Sequence, residues 1–467
     1  MTIAVAGASG YVGQRLVAAL DAAGEPVLAL GRHLDSLPDG GNVRSSAVDV
    51  ADTAALTGVL DGVRTAYYLV HAMAGGADFA DRDRAMARSF ADAAAAAGVR
   101  RIVYLGGLGD EGLSEHLESR QEVGQLLAET GVPVVELRAA VIIGSGSISF
   151  ELLRYLTERL PFMVCPRWVR TRVQPIAESD LLACLRQAAD EDRVPPGVHE
   201  VGGPDVLTYE DLMQLYARVR GLRRRRIVRV PLLSPRLSSY WVRAVTPVDR
   251  AVSGSLIDSL RNDVVVTQAD SPFDIERVPM AEAIARALDD QRDRVAHDVF
   301  DFDNGVVDGV FNLSTSVDMD RGEVRGARLD LSRCGGDLHW YGWAWAWVLR
   351  IWLGKVFGEE LTLHRPDTVE VGATVDWWTV ADCGDHHIVL YTDKWFCGEA
   401  WLGYRIEVGA EPRLWQVGAL RSKGLLGWAY WRAVYPVHLV VFRVMARKQT
   451  RRAHALARKL ADRADAA

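Results

Sequence analysis

The chain has 467 residues, of which 49% are hydrophobic and 25% charged, and its formal net charge is -7. Single hydrophobic cores stop growing near about 250 to 300 residues, so a chain of this length is expected to form two domains. The modest acidic charge excludes the basic footprint of a typical nucleic-acid-binding protein, and the composition excludes extensive disorder.

The first half of the chain alternates short apolar runs with helical patterns, as over Tyr11–Ala23 and Arg84–Ala97. Such alternation is typical of βαβ units and a parallel sheet. The predicted strands are Thr2–Ala6, Pro26–Leu30, Val43–Val48, Thr65–Val70, Arg101–Leu105 and Val132–Leu137. We therefore expect a doubly wound α/β domain of the Rossmann type, covering residues 1–296.

A glycine-rich segment, GASGYVG, lies between the first predicted strand and the first predicted helix. One glycine permits a tight turn, a second lets backbone amides approach a pyrophosphate, and the third lets helix and strand pack closely. The strand–loop–helix context therefore predicts dinucleotide binding rather than a merely structural turn. The residues predicted to bind the cofactor here are Gly7, Ala8, Ser9, Gly10, Tyr11, Val12 and Gly13.

The second predicted strand ends in LALGRH, which places Arg32 where NAD-specific sites usually carry an acid. A guanidinium can pair with the 2′-phosphate of NADP. The sequence therefore favours NADP(H), with NAD(H) as the alternative. The other interpretation of Arg32 is a solvated surface charge, with Asp35 turned toward the ribose.

After His297 the predicted strands follow one another without intervening helices, and a long helix is predicted from Leu425 to Leu460. A run of strands before one helix indicates an antiparallel sheet packed on a helix. We expect this α+β domain to cover residues 297–467. Its predicted strands are Val369–Val380, His387–Phe396, Ala400–Val408 and Arg413–Arg421.

Tryptophan is concentrated in this second region, which holds twelve of the fourteen in the chain. Indoles supply large buried area with one polar group, so they are expected to fill a core, to line a ligand cavity or to lie at a membrane boundary. No uncharged apolar run reaches the length of a membrane-spanning helix. Peripheral membrane contact stays open through the aromatic helix and the basic tail that begins at Arg447.

Cysteine usage and the N-terminus bear on location. Five cysteines are present, and none forms a close pair with metal-ligand spacing. No secretory signal pattern precedes the first predicted strand, so a cytoplasmic protein with reduced thiols is expected. The histidines also lack metal-ligand spacing, and the sequence predicts no metal site. The cysteines are Cys165, Cys184, Cys334, Cys383 and Cys397.

Residues 1–290 resemble the atypical and extended short-chain dehydrogenases, especially the NmrA-like group. The resemblance rests on GASGYVG, on the pair Asp49-Val50, on YYLVHAM and on SRQEVGQLLAETGVPVVELRAAVIIG. It implies that Asp49 and Val50 contact the adenine. It also implies a cofactor contact from the fourth strand, here Leu69, Val70 and His71. Residues 298–455 resemble a conserved domain that is similar to helix-grip, START-like ligand folds.

The catalytic residues of that family are replaced here. The family uses a tyrosine four residues before a lysine, and a serine from the fifth strand. The alignment puts His116 in the tyrosine position, Arg120 in the lysine position, and Gly106 or Gly107 in the serine position. Histidine can act as a general acid near neutral pH, whereas arginine cannot relay a proton. The alternative for His116 is a surface helix residue.

Other candidates are weaker. Leu137-Arg138-Ala139 lacks the proline that the family places near the nicotinamide. His71 is expected either beside the cofactor or as a half-buried residue that bonds a backbone group. Two functions follow. The first is an NADP(H)-dependent oxidoreductase acting on an apolar or aromatic small molecule, and the second is a non-catalytic NADP(H)-binding sensor or regulator.

Overall fold

The computed structural model divides the chain into two compact units, Met1–Leu288 and Asp289–Ala467. It describes residues 2–34, 37, 40–71, 79–109, 114–230, 262–302, 304–307, 309–341, 344–345, 347–348, 351–352, 363–394 and 398–465. Each unit has its own sheet, and each is described by itself.

The first unit is built on a parallel sheet whose seven described strands have the order β11-β6-β5-β4-β1-β2-β3. The strands are β1 (Thr2–Ala6), β2 (Val27–Gly31), β3 (Val43–Ala47), β4 (Val63–Tyr68), β5 (Arg101–Gly107), β6 (Val134–Ala139) and β11 (Gly197–Val201). The predicted Rossmann sheet is therefore confirmed; β1 to β6 have bounds within two residues of the predicted ones, and β11 was not predicted. Two buried clusters cover its faces. One lies around Val5, Leu16 and Val103, and the other lies around Ala4, Phe90 and Ile102.

Helices connect these strands. They are α1 (Tyr11–Ala22), α2 (Thr53–Val59), α3 (Phe79–Ala96), α4 (Glu115–Ala128), α5 (Ile148–Arg159), α6 (Glu178–Ala188) and α7 (Tyr209–Val219). Side-chain caps explain where several begin, because Asp52, Ser114, Ser147 and Thr208 each accept from a backbone amide of the first turn. Such caps satisfy amides that have no partner within the helix.

The later part of the first unit is made of short strands around α5 and α7. These strands are β7 (Ile142–Ile143), β8 (Phe162–Cys165), β9 (Arg172–Val173), β10 (Ile176–Ala177), β12 (Leu207–Thr208) and β13 (Arg226–Arg229). A buried cluster that includes Phe150, Leu153, Leu212 and Tyr216 joins the two helices. The helix α8 (Met280–Asp298) contains the division between the two units.

The second unit is an antiparallel sheet whose described strands have the order β14-β15-β20-β19-β18-β17-β16. They are β14 (Gly305–Val307), β15 (Val310–Asp318), β16 (Thr374–Val375), β17 (Trp378–Gly384), β18 (His387–Lys394), β19 (Gly398–Glu407) and β20 (Arg413–Ser422). The helices α9 (Val324–Leu331) and α10 (Gly424–Asp465) pack with this sheet. The predicted antiparallel sheet with a long C-terminal helix is confirmed.

One predicted strand was wrong in its extent. Val369–Val380 was predicted as one strand, but Asp376 adopts a φ of 54° and the chain turns back there. The result is a hairpin in which Val375 pairs with Trp378 across a two-residue turn. The Asp376 carboxylate fixes the turn by accepting bonds from the Gly336 and His364 amides and from the Tyr341 hydroxyl. These partners are remote in sequence, so the pattern of apolar residues could not reveal the turn.

The tryptophans of the second unit have different environments. Trp340, Trp378, Trp401 and Trp431 are buried, whereas Trp345, Trp352 and Trp428 are exposed. Core packing therefore explains some of the tryptophan bias but not all of it. None of the described helices is long and apolar enough to cross a bilayer.

Candidate functional site

The glycine-rich loop forms a tight turn between β1 and α1. Gly7 has a φ of +83°, in the region that favours glycine, and a Cβ there would lie 2.8 Å from the carbonyl carbon of Leu69. Hydrogen bonds from the Gly7 and Ala8 amides to the carbonyl of Leu30, and from Gly10 to Gly7, hold the turn. A side chain at Gly7 would displace the Leu69 backbone, so this position requires glycine.

The first turn of α1 is open to an anion. Its N-cap residue, Gly10, makes no side-chain cap hydrogen bond, and the first turn contains no acidic residue. Helix N-termini bind phosphates because their free amides and the helix dipole both favour negative charge. The loop therefore fits the pyrophosphate of a dinucleotide, as predicted from GASGYVG.

The strand order places this loop at a topological switch point. β2 and β3 lie on one side of β1, whereas β4 and β5 lie on the other, and ligands of open α/β sheets bind where the order reverses. The carboxyl end of β4 meets the loop directly, since the Leu69 amide donates to the carbonyl of Ala6. Leu69, Val70 and His71 are thereby brought beside the glycines.

Three of the predicted cofactor residues lie farther along the sheet edge. Arg32 follows β2 directly and is exposed, and no ion pair of its guanidinium is found within the described residues. Asp49 and Val50 follow β3; the Asp49 carboxylate accepts from the Ala51 amide, and Val50 is buried. Asp35, the alternative ribose partner, lies outside the described residues.

A cavity of about 410 Å³ extends from the loop into the first unit. Most of its wall is apolar, and its polar side chains are few. The predicted site residues that line it are Gly10, Tyr11, Val12, Gly13, Leu69, Val70, His71 and Arg120. Gly7, Ala8, Ser9, Arg32, Asp49 and Val50 lie outside this lining. A pocket that is mostly apolar and holds a few convergent polar groups is the usual form of a small-molecule site.

His71 carries a carboxylate partner at the cavity wall. Its Nδ1 lies 3.0 Å from Oδ2 of Asp83, a residue of α3 that is only 1% exposed. Burial lowers the pKa of His71 below its usual value of 6.5, although the Asp83 hydrogen bond opposes this shift. A carboxylate on one imidazole nitrogen fixes the tautomer and the orientation of the ring, which is the arrangement of an acid–base histidine. Sequence reasoning had not identified Asp83.

Arg120 is held beneath the cavity by backbone contacts. Its guanidinium donates to the carbonyl of Leu105 and lies 6.0 Å from the ring centre of Tyr104. The Tyr104 hydroxyl in turn donates to the carbonyl of Arg120. A fixed positive charge therefore adjoins the end of β5. His116 belongs to α4, but its side chain lies outside the described part of the structure.

The structure also explains the two glycines in the serine position. A Cβ on Gly106 would lie 2.8 Å from Oε1 of Glu136, and a Cβ on Gly107 would lie 2.6 Å from Cδ2 of Leu117. Glu136 is buried and pairs with Arg138 at 2.7 Å. Burial raises the pKa of Glu136, and the Arg138 partner opposes the rise. This ion pair occupies the space that a serine side chain would need at Gly106, and the Leu117 side chain occupies it at Gly107.

The far wall of the cavity comes from residues that the sequence analysis did not predict. Leu152, Leu153 and Leu156 of α5 lie there, together with residues of and near α7. Tyr209, Leu212 and Met213 belong to α7, and Val264 lies on a separate segment. Their apolar helical spacing resembles that of core residues, so no local signal distinguished them.

Tyr11 is anchored at the edge of the glycine loop. Its hydroxyl donates to Glu178, the first residue of α6, and Arg15 lies 3.3 Å from the same carboxylate. A Cβ on Gly144 would meet both Tyr11 and Glu178. These contacts orient the tyrosine ring along the cavity wall.

The described residues contain no cluster of histidine, cysteine, aspartate and glutamate that could hold a metal ion. His386 and His387 have separate partners, Arg328 and Asp382, respectively. Cys165, Cys184, Cys334 and Cys383 are free thiols.

Comparison with known families identifies both units separately. Residues 7–136 match the NAD(P)H-binding family, and residues 313–445 match a family described as protein of unknown function (DUF2867). No curated protein sequence gives a significant match. The helix-grip resemblance of the second unit stays an expectation.

Solved structures resemble this chain over about three-fifths of its length. Triphenylmethane reductase from Citrobacter sp., solved with NADP(H), is 21% identical with a TM-score of 0.50, and the match covers 62% of this chain and 100% of that one. A nucleoside-diphosphate-sugar epimerase from Staphylococcus aureus is 14% identical with a TM-score of 0.50, over 61% and 100% of the two chains. At these identities the likeness shows the fold alone. The chain thus contains a Rossmann domain that matches the NAD(P)H-binding family and whose structural neighbours include an epimerase and a reductase, followed by a separate region that matches the DUF2867 family.

Proposed function

We propose that the first unit is an NADP(H)-dependent oxidoreductase that acts on an apolar small molecule. The observation that carries this proposal is the position of the His71–Asp83 pair on a mostly apolar cavity that begins at the glycine-rich loop. A binding module needs the loop and the cavity. It does not need a histidine whose ring is oriented by a buried carboxylate.

The preference for NADP(H) rests on Arg32. Its exposed guanidinium follows β2, the strand beside β1, which is where the adenosine ribose of a dinucleotide lies in Rossmann domains. The two positions at the end of β2 are Gly31 and Arg32, so neither supplies a carboxylate that could bond a ribose 2′-hydroxyl. The reductase from Citrobacter sp. that shares this fold is described with NADP(H), which agrees with this choice.

The loop and strand ends would hold the cofactor. The first-turn amides at the N-terminus of α1, beside the glycine turn, would bind the pyrophosphate, and Asp49 and Val50 would border the adenine. Leu69, Val70 and His71 would border the part of the cofactor nearest the cavity. NADPH bound there would supply a hydride to the substrate.

His71 would exchange the accompanying proton. Asp83 pairs with Nδ1, so Nε2 would be the nitrogen that exchanges the proton. Arg120 cannot exchange a proton, but its fixed charge would stabilise negative charge that develops near the end of β5. Leu152, Leu153, Leu156 and Met213 would bind the apolar body of the substrate and exclude water from it.

Turnover tests the proposal. The full chain is mixed with NADPH and a panel of apolar aromatic ketones, aldehydes and quinones, and NADPH absorbance is followed. Oxidation that depends on both protein and panel member supports the oxidoreductase. Saturable NADPH binding with no oxidation for any panel member would contradict catalysis and favour the regulator considered from the sequence. Absence of any dinucleotide binding would remove both.

A further inference from the structure

The second unit contains a cavity of its own, with a volume of about 270 Å³. It lies between α10 and the face of the sheet to which Leu390 and Leu402 contribute. Its wall is rich in aromatic side chains, contributed by both the sheet side and the helix. They are Trp347, Trp377, Trp378, Trp401, Tyr430, Trp431 and Phe442.

Small residues on two paired strands leave this space open. Ala400 on β19 and Gly418 on β20 both line the cavity. The ring of Phe442 packs directly on Gly418, since a Cβ there would lie 2.0 Å from Cε2 of Phe442. Helix α10 therefore contacts the sheet at Gly418, and beside this contact the cavity separates the helix from the sheet. A concave and mostly apolar pocket of this kind is the usual form of a small-molecule site.

Hydrogen-bond donors of the wall lack acceptors. Trp378 and Trp431 are 7% and 5% exposed, and neither indole N–H has an acceptor in the part of the chain that the structure describes. Buried donors are normally bonded, so an unsatisfied one requires an explanation. A ligand with an acceptor oxygen would supply what this wall lacks.

The charge of the lining selects among such ligands. Lys394, the last residue of β18, is the single charged residue among the described lining residues, and Thr392 lies on the same face of the strand. Burial lowers the pKa of His438, whose Nδ1 bonds the carbonyl of Val434. An aromatic wall alone would also suit a cation. The ammonium of Lys394, without a carboxylate among the described lining residues, disfavours a cation and favours an anion.

We propose that this cavity binds a small aromatic molecule that carries one acidic group, with its rings between Trp378, Trp431 and Phe442 and the acidic group at Lys394. The aromatic rings give affinity through burial and offset ring contacts. Lys394 gives orientation through a charge-assisted hydrogen bond. The proposal does not depend on the oxidoreductase activity of the first unit.

Two fluorescent probes of matched shape test this proposal on the full chain. Anilinonaphthalene sulfonate carries an anionic group, and phenylnaphthylamine is its uncharged counterpart. We expect both to bind saturably, with energy transfer from tryptophan because five described tryptophans line this cavity. The anionic probe should bind about tenfold more tightly, as expected for one charged hydrogen bond.

Two variants with matched controls locate the binding. Lys394→Met should remove the preference for the anionic probe, whereas Lys459→Met, an exposed lysine of α10, should keep it. Val437→Trp should block the cavity mouth and weaken both probes, measured by direct excitation of the probe. Val440→Trp is its control. Both valines are exposed on α10, at 58% and 54%, but only Val437 lines the cavity.

Each result has a defined meaning. Weakened binding of both probes to Val437→Trp, together with equal affinities of the two probes for Lys394→Met, supports the site and its ligand class. Absence of saturable binding, or binding that neither variant changes, overturns the proposal. Tighter binding of the uncharged probe would overturn the acidic ligand. NADPH oxidation is measured in parallel, and its failure alone leaves this outcome unaffected.

Discussion

The carbonyl oxygen of Gly7 lies 2.2 Å from the place that a Cβ on Gly13 would occupy. The turn and the first helix are therefore packed against each other through bare backbone. Helix α1 can begin close to β1 only because position 13 has no side chain, and this approach directs the first-turn amides toward the loop.

The first prediction follows from this contact. Gly13→Ala should separate the turn from α1, destabilise the protein by about 1–3 kcal/mol as overpacking does, and weaken NADPH binding at least tenfold. Gly58→Ala is the control, because Gly58 is an exposed residue of α2 with no atom within 4 Å of an added Cβ. Urea unfolding and NADPH titration measure both effects. Unchanged binding in Gly13→Ala would contradict the role of the loop.

The second prediction concerns the 2′-phosphate. Arg32→Ala should lower NADPH affinity by about 10- to 100-fold, the range expected for a lost hydrogen bond to a charged group, and leave NADH affinity unchanged. Calorimetric titration with both dinucleotides measures the change. Arg218→Ala, an exposed arginine of α7, should alter neither affinity. Equal losses for NADPH and NADH would show that Arg32 does not read the phosphate.

The third prediction concerns proton exchange. His71→Asn should lower the turnover rate by about 10²–10⁴-fold while NADPH binding is retained, as expected for loss of a general acid. Turnover by the unmodified chain should rise as the pH falls through the lowered pKa of His71, because the protonated ring gives the proton. His199→Asn serves as the control and should keep the turnover rate, since His199 lies on the edge strand β11 and bonds the carbonyl of Pro195. Loss of activity in His116→Ala but not in His71→Asn would reverse the assignment.

The fourth prediction is a pH dependence of stability. Burial lowers the pKa of His71 below 6.5 in the folded state, so the unfolded chain binds the proton more readily. The contribution of His71 to the free energy of unfolding should therefore be constant above about pH 6.5 and should decline as the pH falls below that value. His71→Asn should lose less stability between pH 7 and pH 5 than the unmodified chain. Urea unfolding at the two pH values measures this loss, and an equal loss for the variant and the unmodified chain would contradict the prediction.

The fifth prediction concerns the hairpin of the second unit. Asp376 is 2% exposed, and its carboxylate accepts from Gly336, His364 and Tyr341. Asp376→Ala should destabilise the second unit by about 3–5 kcal/mol, because several buried donors lose their acceptor and the positive φ no longer suits the residue. Asp376→Asn should cost less, since an amide oxygen can still accept. Tryptophan fluorescence during urea unfolding reports this unit, and an equal cost for both variants would refute the role of the carboxylate.

Local patterns in the sequence were sufficient for six of the seven described strands in the sheet of the first unit and for the glycine loop. β1 was predicted with its observed bounds, and the loop lies where GASGYVG placed it, because tight turns and helix starts depend on a few neighbouring residues. The strands β14 and β15 were not predicted, and the strand over Val369–Val380 was broken by Asp376. β15 pairs with β20, and the Asp376 carboxylate is bonded by Gly336 and Tyr341, so both features depend on residues far along the chain.

The sequence by itself therefore determined a dinucleotide-type loop, a parallel sheet and a second antiparallel domain, since periodicity and glycine spacing act over short distances. Only the tertiary structure decided what surrounds the loop. His71 and Asp83 meet across two elements, and Tyr209 and Val264 reach the cavity wall from segments remote from Gly10. Side-chain contacts between distant segments depend on how the elements pack, and no local pattern records that packing.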